Sequence, residues 1–116
     1  DDFKRINDSK GHVAGDQVLA TVADIIKNSI RDTDLAARYG GDEFAVVFPG
    51  AEARTVAGVM ERVRQAVSSH AVLMDLSVTV STGVAQYSGE DLSHFIDEAD
   101  KKLYEAKHRG KNKVEA

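Results

Sequence analysis

The chain has no cysteine, a single proline and no apolar run long enough to span a bilayer. Without cysteine there are no disulfides and no thiolate metal sites, so any bound metal must be held by oxygen or histidine. The same absence suits a reducing compartment. With no apolar span and no signal-peptide pattern at the start, the expectation is a soluble, cytoplasmic domain that makes no membrane contact itself, although a parent protein could be membrane-anchored. A basic surplus is also missing, since 15 Lys and Arg stand against 19 Asp and Glu for a net charge of −4. Affinity for nucleic acid comes mainly from a basic footprint on the phosphates, so no nucleic-acid partner is expected. Phosphate would be met locally, by Lys4 and Arg5 near the start or by Lys101, Lys102, Lys107, Arg109, Lys111 and Lys113 near the end. These charges also suit an ordinary solvated face.

What is present is a chain of 116 residues, 42% hydrophobic and 29% charged, enough for one domain around one core. Val18, Leu19, Val22, Ile25, Ile26 and Ile30 recur at helical spacing and predict a helix from Asp16 to Ile30. Leu35 to Tyr39 and Glu43 to Phe48 flank a glycine pair and predict a β-hairpin, ended by Pro49-Gly50. Val56, Val59, Met60, Val63 and Val67 predict a second helix. Leu76, Val78, Val80, Thr82 and Val84 alternate with small polar residues, the period of a strand with one face on the core. Leu92, Phe95, Ile96, Ala99, Leu103 and Ala106 predict a third helix, and Lys113 to Glu115 a short edge strand. With one strand supplied in front, this order is the α+β, ferredoxin-like layout: an antiparallel sheet flanked by helices. Asp1-Asp2-Phe3 reads as the end of that first central strand, most of which is then expected to be missing, and the chain is expected to turn at once into the polar stretch from Asn7 to His12.

The stretch Arg38-Tyr39-Gly40-Gly41-Asp42-Glu43-Phe44 carries the most chemistry. Two glycines accept positive φ and keep no Cβ between backbone and ligand, and the carboxylates after them sit where strand meets ligand. An acidic tip of this kind holds a metal ion and a nucleotide, or is simply solvated. Adjacent strand residues point to opposite faces, so Asp42 and Glu43 are not expected to share one task unless the turn bends them together. His12, His70, His94 and His108 are too scattered for a metal cluster, and His12 is read as structural. Tyr39 and Tyr104 read as packing aromatics with a polar end.

Six separated motifs together resemble the GGDEF family of diguanylate cyclases. They are Phe3 to Asp8, Gly11-His12 with Gly15-Asp16, Arg38 to Phe44, Ser81 to Val84, Ala99-Asp100 with Leu103 to Lys107, and Gly110 to Asn112. Their order along the whole chain makes the likeness far more specific than a lone glycine-glycine-acid-acid string. The resemblance implies one GGDEF domain over residues 1–116, with a palm-like sheet as in nucleotidyl cyclases, lacking its N-terminal helix and most of its first strand. The family's first metal-binding aspartate would lie two residues before the position matching Asp1. Also implied are Mg²⁺ (or Mn²⁺), GTP as substrate, cyclic di-GMP as product and inhibitor, a transient homodimer, and fusion to a sensory or receiver domain in the parent protein.

By the same resemblance, Glu43 is the first choice for a metal ligand, and Asp42 is a second ligand or the group assisting deprotonation. Asn7 and Asp16 match the guanine-recognising pair, whose other readings are a turn residue and a helix N-cap. Lys4, Lys107 and Lys111 match phosphate contacts, joined by backbone N–H groups near Phe3 and Lys4, and Gly40 and Gly41 would admit the nucleotide. Lys111 stands where arginine is frequent, giving a point charge in place of a fork. Arg31 and Asp34 match an inhibitory product site, with Arg62 as a secondary contact. The alternative function is a catalytically inactive module that senses GTP or cyclic di-GMP.

Overall fold

Helix α1 (Phe3–Lys10) opens the chain and α2 (His12–Ser29) follows at once, in a computed structural model that describes residues 1–116. Gly11 separates them at φ 90°, a left-handed backbone that L side chains rarely adopt. The hairpin strands β1 (Leu35–Arg38) and β2 (Phe44–Val47) come next, then α3 (Ala53–Ser69), the short α4 (Ala71–Asp75), β3 (Thr82–Gly83), α5 (Leu92–His108) and β4 (Val114–Glu115). The α+β class is present, and the expected elements follow in order with two further helices, α1 and α4, added.

The core lies between α2 and α3. Val18, Val22 and Ile26 of α2 meet Val56, Met60, Val63 and Val67 of α3, all spaced three or four residues apart on one face. Ile6 and Leu73, both fully buried, close the two ends from α1 and α4. Full burial of each such side chain stabilises by about 2 kcal/mol.

The structure departs locally from these expectations. Phe3–Lys10 is helical rather than a turn, although Asn, Asp and Ser are weak helix formers. Ile6 is the reason, since a short helix survives by burying an apolar face, not by propensity. Asp16 consequently sits inside α2 rather than at its N-cap. Residues 71–75 form α4, and Ser77 at φ 56° redirects the chain after it.

The expected strand from Leu76 to Val84 is hydrogen-bonded as a ladder only at Thr82–Gly83, which pairs in parallel with Val114–Glu115. Its alternation still holds: Val78 is buried and Val80 packs on the core, while the Thr79 and Ser81 hydroxyls turn the other way to donate to the Asp1 carboxylate at 2.8 Å each. The sheet is therefore two separate pairs. β1 and β2 pair antiparallel from Leu35 with Val47 to Arg38 with Phe44. Between β2 and Val78–Val80 lies a cavity of about 50 Å³, with Asp1, Phe3, Asp42 and Phe44 among its walls.

Gly83 is where β3 meets α5 at backbone distance. An added Cβ would collide with the Ala99 carbonyl and the Leu103 nitrogen. No helix is long and apolar enough to cross a membrane.

Candidate nucleotide site

The hairpin turn is closed by backbone bonds that the Tyr39 and Gly40 N–H groups donate to the Glu43 carbonyl, at 2.8 and 3.3 Å. The Arg38 guanidinium braces it from the side, donating from Nη2 to the Gly41 carbonyl at 2.6 Å and from Nε to the Gly40 carbonyl at 3.2 Å. Neither Gly40 nor Gly41 occupies the left-handed region, which corrects the conformational reason expected for the pair. The glycines instead serve space. The Glu43 side chain folds over Gly40, where a Cβ would stand 3.2 Å from Oε2, and Gly41 faces open volume. Asp42 takes the other direction, onto the small cavity that it shares with Asp1 and Phe3. Both carboxylate residues are exposed.

Asn7 meets Gly15, the neighbour of Asp16. The Asn7 carboxamide lies so close to Gly15 that a Cβ there would overlap its Oδ1. The missing side chain thus lets α1 rest on α2 and sets the Asn7 amide beside the residue that precedes Asp16. Asp16 then faces a second, larger cavity of about 1030 Å³ between α2 and β1, walled by Leu19, Ala20, Ala23, Ala37, Arg38 and Phe44 among others.

The same cavity ends at Arg31 and Asp34. The Arg31 guanidinium donates to the Asp34 carboxylate at 2.7 Å, its backbone N–H donates at 2.8 Å, and Nη2 also reaches the Pro49 carbonyl at 3.1 Å. Asp34 is covered, with 1% of its side chain exposed against 57% for Arg31. Hydrogen bonding from Arg31 holds the Asp34 carboxyl below the usual carboxylate range. Arg62 is exposed on α3 and bonds to neither.

The lysines gather around the first two residues. Lys111 Nζ forms an ion pair with Asp2 at 2.7 Å, and this hydrogen bond lowers the Asp2 pKa. Lys107, in the last turn of α5, and Asp42 both come near the backbone nitrogen of Asp1. Asp42, Lys107 and Lys111 therefore share one neighbourhood. Lys4 is exposed on α1, and as the first residues of that helix Phe3 and Lys4 have N–H groups with no acceptor inside it.

Asp1 is a bracket. Its carboxylate accepts from Thr79, Ser81 and the Asn112 backbone N–H, the last at 3.1 Å. No trio of His, Asp or Glu side chains converges as a metal cage. Either turn carboxylate still fits Mg²⁺ or Mn²⁺, because Mg²⁺ is commonly held by one or two carboxylates with substrate phosphates and water completing its shell.

Sequence reasoning did not assign roles to Arg38, Arg64, Thr79, Ser81 or Asn112. Arg38 and Asn112 lay inside quoted motifs, and their polarity next to glycines was the available signal. Arg64 gave none, being one of three arginines on an amphipathic helix. Tyr39 and Tyr104 are corrected as packing residues: they are 64% and 65% exposed, and Tyr104 stacks on His108. His12 is exposed at the start of α2, away from any core role.

Residues 1–113 match the family model described as "Diguanylate cyclase, GGDEF domain". The chain is 44% identical over 119 aligned residues to diguanylate cyclase A of Treponema denticola, covering 98% of this chain and 32% of that protein. It thus spans about a third of that relative's length. Among solved structures, the GGDEF domain of DgcB from Caulobacter crescentus in complex with c-di-GMP superposes with a TM-score of 0.91 at 41% identity, covering 100% of this chain and 72% of that one. The active GGEEF domain of a diguanylate cyclase from Vibrio cholerae gives 0.89 at 31% identity, covering 99% and 76%. With its six motifs in order, the acidic turn braced and Asn7 set beside Gly15-Asp16, the chain belongs to the GGDEF family.

Proposed function

We propose that this domain is a diguanylate cyclase, condensing two GTP molecules into cyclic di-GMP and releasing pyrophosphate from each. The observation that carries the reading is the Asn7–Gly15 contact, which sets an amide beside the residue preceding Asp16, whose carboxylate lines the larger cavity with Arg38 and Phe44 at the two ends of the acidic turn's strands. A carboxylate accepts from guanine N1–H and N2–H, a donor pair that adenine lacks on that edge, and the amide supplies both a donor and an acceptor.

From the base, the triphosphate runs toward the free N–H groups of Phe3 and Lys4 at the positive end of α1. Lys4, Lys107 and Lys111 neutralise it, with Lys111 exchanging Asp2 for phosphate. Gly40 and Gly41 leave the turn bare for close approach. Glu43 and Asp42 would hold Mg²⁺ or Mn²⁺, which when bound lowers the pKa of the attacking hydroxyl and offsets charge on the triphosphate. Each domain holds one GTP, so the 3′-hydroxyl of one must meet the α-phosphorus of the other across a two-fold axis in a transient homodimer. The new 3′ O–P bond replaces the α–β bridging P–O bond, and the second attack closes the ring. Arg31 and Asp34, with Arg62, form the site where product restrains the enzyme. The domain works in the cytoplasm, where GTP is supplied, and a sensory or receiver domain elsewhere in the parent protein controls it.

Incubation with GTP and Mg²⁺, followed by mass spectrometry, should reveal cyclic di-GMP, and Glu43→Gln should cut its formation about a thousandfold. Undiminished turnover in that variant removes Glu43 from its role. The second reading is a catalytically inactive module that senses GTP or cyclic di-GMP. GTP binding without product would support that reading.

A further inference from the structure

Arg64 lies on α3, outside every motif that marks the nucleotide site, yet it holds the turn that presents Lys111. Its guanidinium is gripped from its own helix by Glu61, with Nε donating to both carboxylate oxygens at 3.0 and 2.9 Å. Nη1 donates across to the Asn112 side-chain oxygen at 3.0 Å. The Asn112 backbone N–H donates in turn to Asp1, which is tied to Thr79 and Ser81.

The backbone of this turn needs such a hold. Gly110, Lys111 and Asn112 occupy positive φ in succession, at 111°, 64° and 48°. Glycine accepts this freely and asparagine tolerates it, but lysine does so rarely, so the conformation persists only where its surroundings impose it. Asp2, the ion-pair partner of Lys111, is itself left-handed at φ 58°. Both ends of the pair therefore ride on backbone that is held from outside.

We infer that Arg64, clamped by Glu61, is a positioning residue for the nucleotide triphosphate, acting through Asn112 to aim Lys111. This rests on the reading of Lys111 as a phosphate contact. A bidentate grip by Glu61 fixes the guanidinium plane, and only a fork keeps donors for both Glu61 and Asn112. Lysine at this position could keep one contact and lose the other. Asn112 lies in the sequence beside the residue it positions, whereas Arg64 stands 48 residues from Asn112. Linear motif reasoning therefore sees only half of the device.

The test uses the full chain and its Arg64→Ala, Arg64→Lys and Asn112→Gly variants. The last removes the acceptor while allowing left-handed backbone. Titration with Mg·GTP and with inorganic tripolyphosphate should show affinity falling about tenfold in Arg64→Ala and Asn112→Gly, with Arg64→Lys recovering only part of it. Where turnover is measured, KM for GTP should rise by the same factor with kcat little changed. Independently of any ligand, backbone NMR shifts of residues 110–113 should leave their left-handed values in Arg64→Ala while those of the hairpin turn stay. Wild-type affinity for tripolyphosphate in a folded Arg64→Ala variant, or unmoved shifts, would overturn the inference. So would full rescue by lysine. If the wild-type chain binds neither probe, the nucleotide reading itself fails and the inference falls with it, although the shift measurement still reports whether Arg64 sets the turn.

Discussion

Two turns carry the residues proposed to meet metal and phosphate, and they are built by opposite means. Gly40 to Glu43 is closed by its own backbone bonds and braced by Arg38, two and three residues from the carbonyls it holds. Gly110 to Asn112 is held by Arg64 from α3 and by Asp1 from the other end of the chain. The first turn is local and tolerates an exposed β1 beside it; the second exists only when α3, α5 and the first residues are in place. The acidic turn is therefore expected to outlast the lysine turn when packing is disturbed.

Gly83→Ala should separate the two most strongly. The added Cβ meets the α5 backbone rather than a side chain that can swing away, so about 3 kcal/mol or more is lost. In a thermal melt that appears as a Tm lower by more than about 10 °C. The lysine turn, delivered by α5, should lose its native shifts first, and an unchanged Tm would refute the contact. Arg38→Ala tests the other turn. Its bonds are exposed, so stability should fall by only about 1 kcal/mol, while turnover drops about tenfold as the carboxylates lose their aim. Equal losses in both turns would erase the distinction between local and remote bracing.

Arg31→Ala probes the far end of the larger cavity, whose walls also include Asp16, Arg38 and Phe44. Removing the fork should raise the cyclic di-GMP concentration for half-inhibition by about tenfold, read in a product-inhibition assay. Unaltered inhibition would sever Arg31 from that site. The smallest effect concerns pH. The Lys111 hydrogen bond lowers the folded-state pKa of Asp2, so its contribution is present above the unfolded value of about 3.9 and disappears as pH falls through the lower folded one. The Lys111–Asp2 contact should accordingly be constant from about pH 8 to 5 and disappear only below about 4, as a carboxyl ¹³C titration would show. A midpoint above the ordinary carboxylate value would contradict the pairing.

The apolar stripes of α2 and α3 were legible because helical periodicity is local and the core takes the face it marks. The hairpin was legible too, since its strands flank the turn within a few residues. Helix α1 was not, because its polar residues argue against a helix and only Ile6 and the Asn7–Gly15 contact justify one. The Val78–Ser81 stretch was half legible. Its alternation follows from sequence, but a ladder depends on neighbouring strands, and here the stretch instead meets Asp1.

The sequence by itself determined the family, the helical faces, the acidic turn and the residue types proposed for guanine, phosphate and metal, because each is a local pattern or a motif read in order. Only the tertiary structure decided that Gly15 admits Asn7, that Gly83 seats α5 and that Arg64 holds the Lys111 turn. Those contacts join residues far apart in the chain, and neither periodicity nor spacing encodes which distant backbone a missing Cβ will meet or which carbonyl a guanidinium will reach.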